Sequence, residues 1–445
     1  MPSSSLPPCP RKPLDLLLLG TGTSSALPLI SCLTAPPREE GGDGCWCCRS
    51  TLLKPGEKGE DGTTYEEGMK NKRRNTSAVL RIKSEKSGER DRTILIDCGK
   101  TFLEAAQEHF PKNGLREIDA LILTHAHADA ILGLDDLRAW TLRGAIQPTI
   151  PIYLTQETFD DVARAFPYLT TGKAVTGGGD IPALSWHVFD PTTPFMIEGI
   201  EVVPLPVHHG KFFTTPPSPY FCLGFLLNRQ ICWLSDVSHI PPAVWSTLFR
   251  YLLLPNEEGE GEKKGEGEGK KRLEALVVDC LRLETFTSHF GLGQAVSAAR
   301  RMGAERNYLV GFGHRTSHAL WTHACALLSL PSSSLAPLSP STYPISPSLP
   351  TPLPPPENPW AFYSSHPDPT KEDKEEFGRR ARQVVESWEV AASVEEGRRG
   401  GKAWEEGERE GREGVWVRPT VDGIRIEVGR EGKGVRDSEY DGEEA

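Results

Sequence analysis

Short runs of branched apolar residues, each closed by a polar turn, recur along the chain. Leu14 to Leu19, Ala78 to Ile82, Thr93 to Ile96, Ile118 to Leu123, Pro151 to Thr155, Ile200 to Val207, Leu276 to Val278 and Asn307 to Val310 read as strands. Phe221 to Leu227 and Gln230 to Leu234 read as a hairpin turning at Asn228-Arg229. Between the strands, helical apolar spacing runs over Leu132 to Leu142, Glu157 to Phe166 and Leu292 to Arg301, and a further helix begins after Val237. Strands that alternate with helices in this way make an α/β chain. An alternating stretch, Val415 to Val428, returns near the end.

The polar intervals are long. Residues 1–13 read as a flexible tail, 53–71 as a Gly/Glu/Lys-rich mobile loop, and 256–272 as an insertion with almost nothing apolar to bury. The interval 330–414 opens on a Ser/Pro-rich stretch, includes a charged helix over Lys371 to Ala392 that is expected to lie exposed, and closes Gly/Arg/Glu-rich. With 429–445 as an acidic tail, the expectation is one catalytic domain over 14–428 that carries low-complexity insertions.

Composition narrows the partners. A formal net charge of −11 over 445 residues argues against a general nucleic-acid binder and leaves a nucleic-acid substrate disfavoured. No apolar run approaches the roughly 20 residues that span a bilayer, so a soluble cytoplasmic protein without membrane partners is expected. In that compartment the ten cysteines are reduced thiols, better suited to metal than to disulfides.

The chemistry gathers at Leu123-Thr-His-Ala-His-Ala-Asp129. In extended backbone, residues two apart point the same way, so His125, His127 and Asp129 are expected to converge, and imidazole with carboxylate suits zinc, iron or manganese. Ile200 to Val207 likewise delivers His208-His209-Gly210, a second strand that ends in histidine, with Gly210 permitting the turn that aims a ring. Cys32 and the knuckle Cys45-Trp-Cys-Cys48 supply three thiols of a tetrahedral zinc site, with Cys47 as a substitute.

The H-x-H-x-D stretch and its continuation Ala130-Ile-Leu-Gly-Leu-Asp-Asp-Leu-Arg138 resemble the metallo-β-lactamase fold superfamily of metal-dependent hydrolases. Within it they resemble the branch of the phosphodiesterase of bacterial phosphonate metabolism and its eukaryotic relatives. The turn Gly20-Thr-Gly-Thr-Ser-Ser25, the entry Arg73-Arg-Asn-Thr-Ser77, the turn Asp97-Cys-Gly99 and the closing strand after Asp422-Gly423 extend the resemblance. It implies a four-layer αβ/βα sandwich. It also implies His209 as the third ligating histidine, with His208 as the alternate, Asp236 as a metal carboxylate, Asp97 as an orienter of a ligating histidine, and His289 as the acid that protonates the leaving alkoxide. His314 would complete a structural zinc site with Cys32, Cys45 and Cys48. Arg73 or Arg74 could face an anionic substrate, although a solvated basic turn is the commoner fate.

Two positions depart from the branch. Ala130 and Gly311 stand where it keeps the two histidines of its second catalytic metal. A mononuclear centre is therefore expected, with His125, His127, His209 and Asp236 around zinc or manganese and Asp129 orienting the attacking water; a weak second site of Asp129, Asp236 and His318 stays open. The implied activity is hydrolysis of a small or cyclic phosphodiester by water that the metal activates as hydroxide. Its rivals are a thioester, lactone or carboxylic ester hydrolase of the same fold and a non-catalytic zinc-stabilised binding protein. A homodimer is compatible with each of these.

Overall fold

The computed structural model describes residues 10–36, 42, 44–59, 62–84, 86, 88–171, 180–252, 273–331, 374–398, 414–429 and 434–441. Two sheets carry the fold. The first begins with β1 (Leu14–Gly20), β2 (Ser77–Ile82), β3 (Arg92–Ile96), β4 (Ala120–Ile122), β5 (Ile150–Leu154) and β6 (Leu184–Val188). The second follows with β7 (Phe195–Ile197), β8 (Ile200–Phe212), β9 (Ser218–Leu227), β10 (Ile231–Leu234), β11 (Ala275–Asp279), β12 (Arg306–Val310) and β13 (Val417–Pro419). The chain then returns to the first sheet as β14 (Arg425–Val428) and β15 (Arg436–Asp437), giving the orders β15-β14-β1-β2-β3-β4-β5-β6 and β13-β12-β11-β10-β9-β8-β7.

The two-residue period of a strand sorts the apolar side chains into layers. Leu16 and Leu18 of β1 face Trp233 and Val277 between the sheets, whereas Leu17 and Leu19 pack outward with Phe102, Phe110 and Trp140. Across the second sheet, Leu276, Val278 and Leu309 meet Val244, Leu248, Val296, Trp321 and Phe377 from the outer helices. The result is the expected four-layer sandwich of two sheets between two helical layers.

Three of the polar intervals differ from their sequence expectation. Within 53–71, Tyr65–Met69 is a helix closed by a capping box between Thr64 and Glu67, and Asn71 is buried against Ser50 and the His318 amide. Within 330–414, the helix Lys374–Arg398 is not exposed all round, because Phe377, Ala381 and Val385 recur at helical spacing and enter the outer core. Within 429–445, Asp437 accepts from Arg306 and the Tyr308 hydroxyl, and the Tyr440 hydroxyl donates to the Pro419 carbonyl, which ties that stretch to both sheets. The insertion 256–272 and most of the tail 1–13 lie outside the described residues. The helical spacing over Leu132 to Leu142 also resolves into shorter pieces, Leu134–Leu137 and Arg138–Thr141.

Candidate functional site

Strand ends build the site. β4 stops at Ile122, and Leu123, Thr124 and His125 continue in non-helical backbone to His127, which begins the short helix Ala128–Ile131. Extension is lost there, so Asp129 falls on a helical turn and does not stack in line with His125 and His127. The ligand nitrogens of His125, His127 and His209 lie within 4.8 Å of one another, as do His125, Cys222 and Asp236, and His209, Asp236 and His289. Asp129 belongs to none of these groups among the described residues.

Each histidine is aimed by a specific partner. Thr124 Oγ1 has one proton and donates it to Asp97 Oδ2 at 2.8 Å, so it accepts from His125 Nδ1 at 2.8 Å. That leaves His125 Nε2 unprotonated and, in this chain's described residues, buried without a hydrogen-bond partner. Asp97 therefore does orient His125, but through Thr124, which sequence reasoning missed. His209 Nδ1 donates to the Ser288 carbonyl at 2.7 Å and turns Nε2 to within 3.1 Å of His127 Nδ1. That gap is close to the roughly 3.3 Å between two nitrogens on one tetrahedral zinc. His208 faces the other way, against Phe221 and His239.

Burial and charge complete a ligand set. Burial pushes His125 down to about 3 and His209 down to about 4, so both rings stay neutral. For Asp236, burial opposes ionisation, but the positive charge that His209, His125 and His289 carry at low pH prevails and holds its carboxyl at about 2. Burial, reinforced by Asp236, raises Asp129 to about 7. Neutral imidazoles, an ionised carboxylate and an orphaned nitrogen at one point fit a divalent cation.

His289 stands beside this cluster. Its Nδ1 lies 2.7 Å from Asp279 Oδ2 and 4.0 Å from Asp236 Oδ1, and its ring is 4.8 Å from that of His209. Burial favours the neutral ring, but the Asp279 carboxylate outweighs it and raises His289 to about 9. Asp279 was not foreseen, although Leu276-Val-Val-Asp279 repeats the strand-into-carboxylate pattern that singled out Asp236. Tyr220 is a second omission, its ring stacked on His127 at 4.6 Å and 14°.

The thiols form a separate cluster. Cys32, Cys45, Cys48 and His314 present their ligand atoms within 4.8 Å, with His314 Nδ1 at 3.3 Å, 3.4 Å and 3.8 Å from the three sulfurs. Hydrogen bonds from Cys45 and Cys48 favour a thiolate at Cys32, and that thiolate in turn pushes the other two thiols up. Such crowding is relieved when a cation takes all three as thiolates. Cys47 turns away, towards the Thr316 carbonyl at 3.7 Å.

Two expectations fail on geometry. His318 cannot join Asp129 and Asp236, because its Nδ1 faces Arg73 at 3.4 Å and its Nε2 faces the Tyr440 hydroxyl at 3.5 Å, in a different buried network. Nor do Arg73 and Arg74 face substrate: Arg73 is 1% exposed and bonds Thr21 and the Thr420 carbonyl, while Arg74 bonds Glu104 and Glu108.

A curated relative, the octanoyltransferase of Porphyromonas gingivalis (strain ATCC BAA-308 / W83), is 28% identical over 197 residues, 44% of this chain and 31% of that protein. The chain thus spans about a third of the length of the curated relative it matches. Among solved structures, a diphosphatase from the PhnP family shares 24% identity over 69% of this chain and 89% of its own, at a TM-score of 0.47. The metallo-β-lactamase fold protein YhfI of Bacillus subtilis shares 15% over 69% and 90%, at 0.41. Among the described residues no helix is long and apolar enough to cross a membrane. Residues 92–312 match the family model described as a beta-lactamase superfamily domain. That match runs from β3 through β12 and takes in every strand that ends at the histidine and carboxylate cluster, and on it the chain belongs to the metallo-β-lactamase fold superfamily of metal-dependent hydrolases.

Proposed function

We propose that the chain is a phosphodiesterase acting on a small or cyclic phosphodiester. His125, His127, His209 and Asp236 hold one zinc or manganese ion, and Cys32, Cys45, Cys48 and His314 hold a structural zinc. The catalytic ion, when bound, supplies Lewis acidity and lowers the pKa of water towards about 7. Asp129, raised by burial and by Asp236, orients the attacking water and takes up its proton. The observation that carries the proposal is the His289–Asp279 pair at the edge of the ligand cluster, in which the carboxylate favours the protonated ring. An alkoxide leaving from phosphorus needs such an acid; an acyl ester or thioester with a good leaving group does not.

The test is a comparison of leaving groups on the metal-loaded chain. His289→Ala should slow hydrolysis of a 2′,3′-cyclic nucleotide, whose leaving group is an alkoxide, by about 10²-fold or more. The same variant should slow bis(p-nitrophenyl) phosphate far less, since p-nitrophenolate departs unaided. Turnover of thioesters or lactones with none of either phosphodiester would sink the proposal. That outcome would favour acyl chemistry, the second reading, which the octanoyltransferase relative supports.

A further inference from the structure

The hairpin of β8 and β9 reaches past the metal-ligating residues. Its strands pair from Val202 with Leu227 to His208 with Phe221 and, after an irregularity at His209 and Gly210, again from Lys211 with Pro219 to Phe212 with Ser218. On one side of this arm, rings follow one another outward: Tyr220 lies flat on His127 at 4.6 Å, and Phe212 meets Tyr220 edge-on at 5.3 Å. Phe212 is 43% exposed and Phe213, next along, is 80% exposed. A single exposed phenylalanine needs no explanation. Phe212 differs because it ends a ring series rooted on His127, and with Tyr220 it forms an apolar ledge continuous with the reaction site.

We propose that Tyr220 and Phe212 are specificity-determining residues that stack a planar aromatic ring on the substrate's non-leaving ester group. This inference rests on the phosphodiesterase reading and narrows its substrate to diesters that carry an aryl group or a nucleobase. The geometry favours a ring over an aliphatic chain. Tyr220 is already held face-on by His127, and the Phe212 edge beside it leaves a step of aromatic faces and edges, the arrangement in which a third ring packs best. Stacking of this kind tolerates any flat heterocycle, so it selects a class rather than one base.

Three diesters with the same leaving group test it on the metal-loaded full chain: methyl p-nitrophenyl phosphate, bis(p-nitrophenyl) phosphate and thymidine 5′-(p-nitrophenyl phosphate). The aryl and thymidine esters should exceed the methyl ester in kcat/KM by about tenfold, mostly through KM. The larger of those two advantages identifies the ring, aryl or nucleobase. Phe212→Ala should bring the ratio towards one, and Phe212→Tyr should restore it. A wild-type ratio near one, or one that Phe212→Ala leaves unchanged, overturns the inference. If none of the three is hydrolysed, the phosphodiesterase reading has failed, and calorimetric binding then decides the ledge separately. Thymidine 5′-monophosphate binding at least fivefold tighter than ribose 5-phosphate, with the gap closed by Phe212→Ala, upholds it; equal binding overturns it.

Discussion

The carboxylate of Asp279 joins His289 to Gly311. One oxygen, Oδ2, accepts from His289 Nδ1 at 2.7 Å, and the other, Oδ1, occupies the space a side chain at 311 would need, since a Cβ there would come within 2.5 Å of it. Gly311 also has a φ of 80°, in the left-handed region that a β-branched or bulky residue avoids. Gly311 is thus the residue that leaves room for the Asp279 carboxylate that holds His289.

Asp279→Asn should move the basic limb of the kcat profile downwards by at least one pH unit. Burial lowers His289, and the Asp279 carboxylate leads the groups that raise it from the ordinary 6.5 to about 9, ahead of Asp236 and Asp129, so without it the ring loses its proton at a lower pH. In the metal-free protein the same shift has a defined sign. The stability it contributes is fully present below pH 6.5 and is lost as pH rises through about 9. Melting temperatures between those limits should fall more steeply for the wild type than for Asp279→Asn.

Gly311→Ala should destabilise the fold by about 1–3 kcal/mol, from the left-handed backbone and the displaced carboxylate together. It should also lower activity on alkoxide leaving groups, because His289 loses its anchor. Chemical denaturation and the cyclic-nucleotide assay measure the two effects. Unchanged stability would mean that the strand end relaxes freely around a new Cβ.

Metal content should be about two ions per chain. His125→Ala should lose one and His314→Ala the other, as read by elemental analysis of purified protein. Three ions in the wild type would show that a second catalytic ion binds without the histidines that Ala130 and Gly311 replace. A single ion lost with His314 would favour a non-catalytic, zinc-stabilised protein.

Arg73→Met should cost about 1–3 kcal/mol, because Thr21 Oγ1, the Thr420 carbonyl and His318 Nδ1 each lose the guanidinium from a buried network. The surviving folded fraction should keep its KM. A raised KM at unchanged stability would return Arg73 to a substrate-binding role.

Much of this protein is readable without coordinates, because its strands obey a local rule. Leu16, Leu18, Leu17 and Leu19 sort to opposite faces of β1 by period alone, and the apolar run into His125 and His127 marks a strand end with ligands on it. The resemblance of the same stretch to a known superfamily gave Asp236, His289 and His314 their candidate places, and the structure brings each beside the cluster expected for it. Sequence is weaker where a residue's partner is remote along the chain. Asp279 ends one strand and Gly311 follows the end of its parallel neighbour, and only their adjacency shows why one must be glycine. Arg73 looks like part of a solvated basic turn, or a cation that could face substrate, until Thr420 and His318 enclose it. Lys374–Arg398 looks like a solvated helix until Phe377 and Ala381 find the outer core. Periodicity and ligand spacing are properties of a segment and are written in it. Burial, charge pairing and the aim of a side chain are set by what folds against it, and for those the tertiary structure decided.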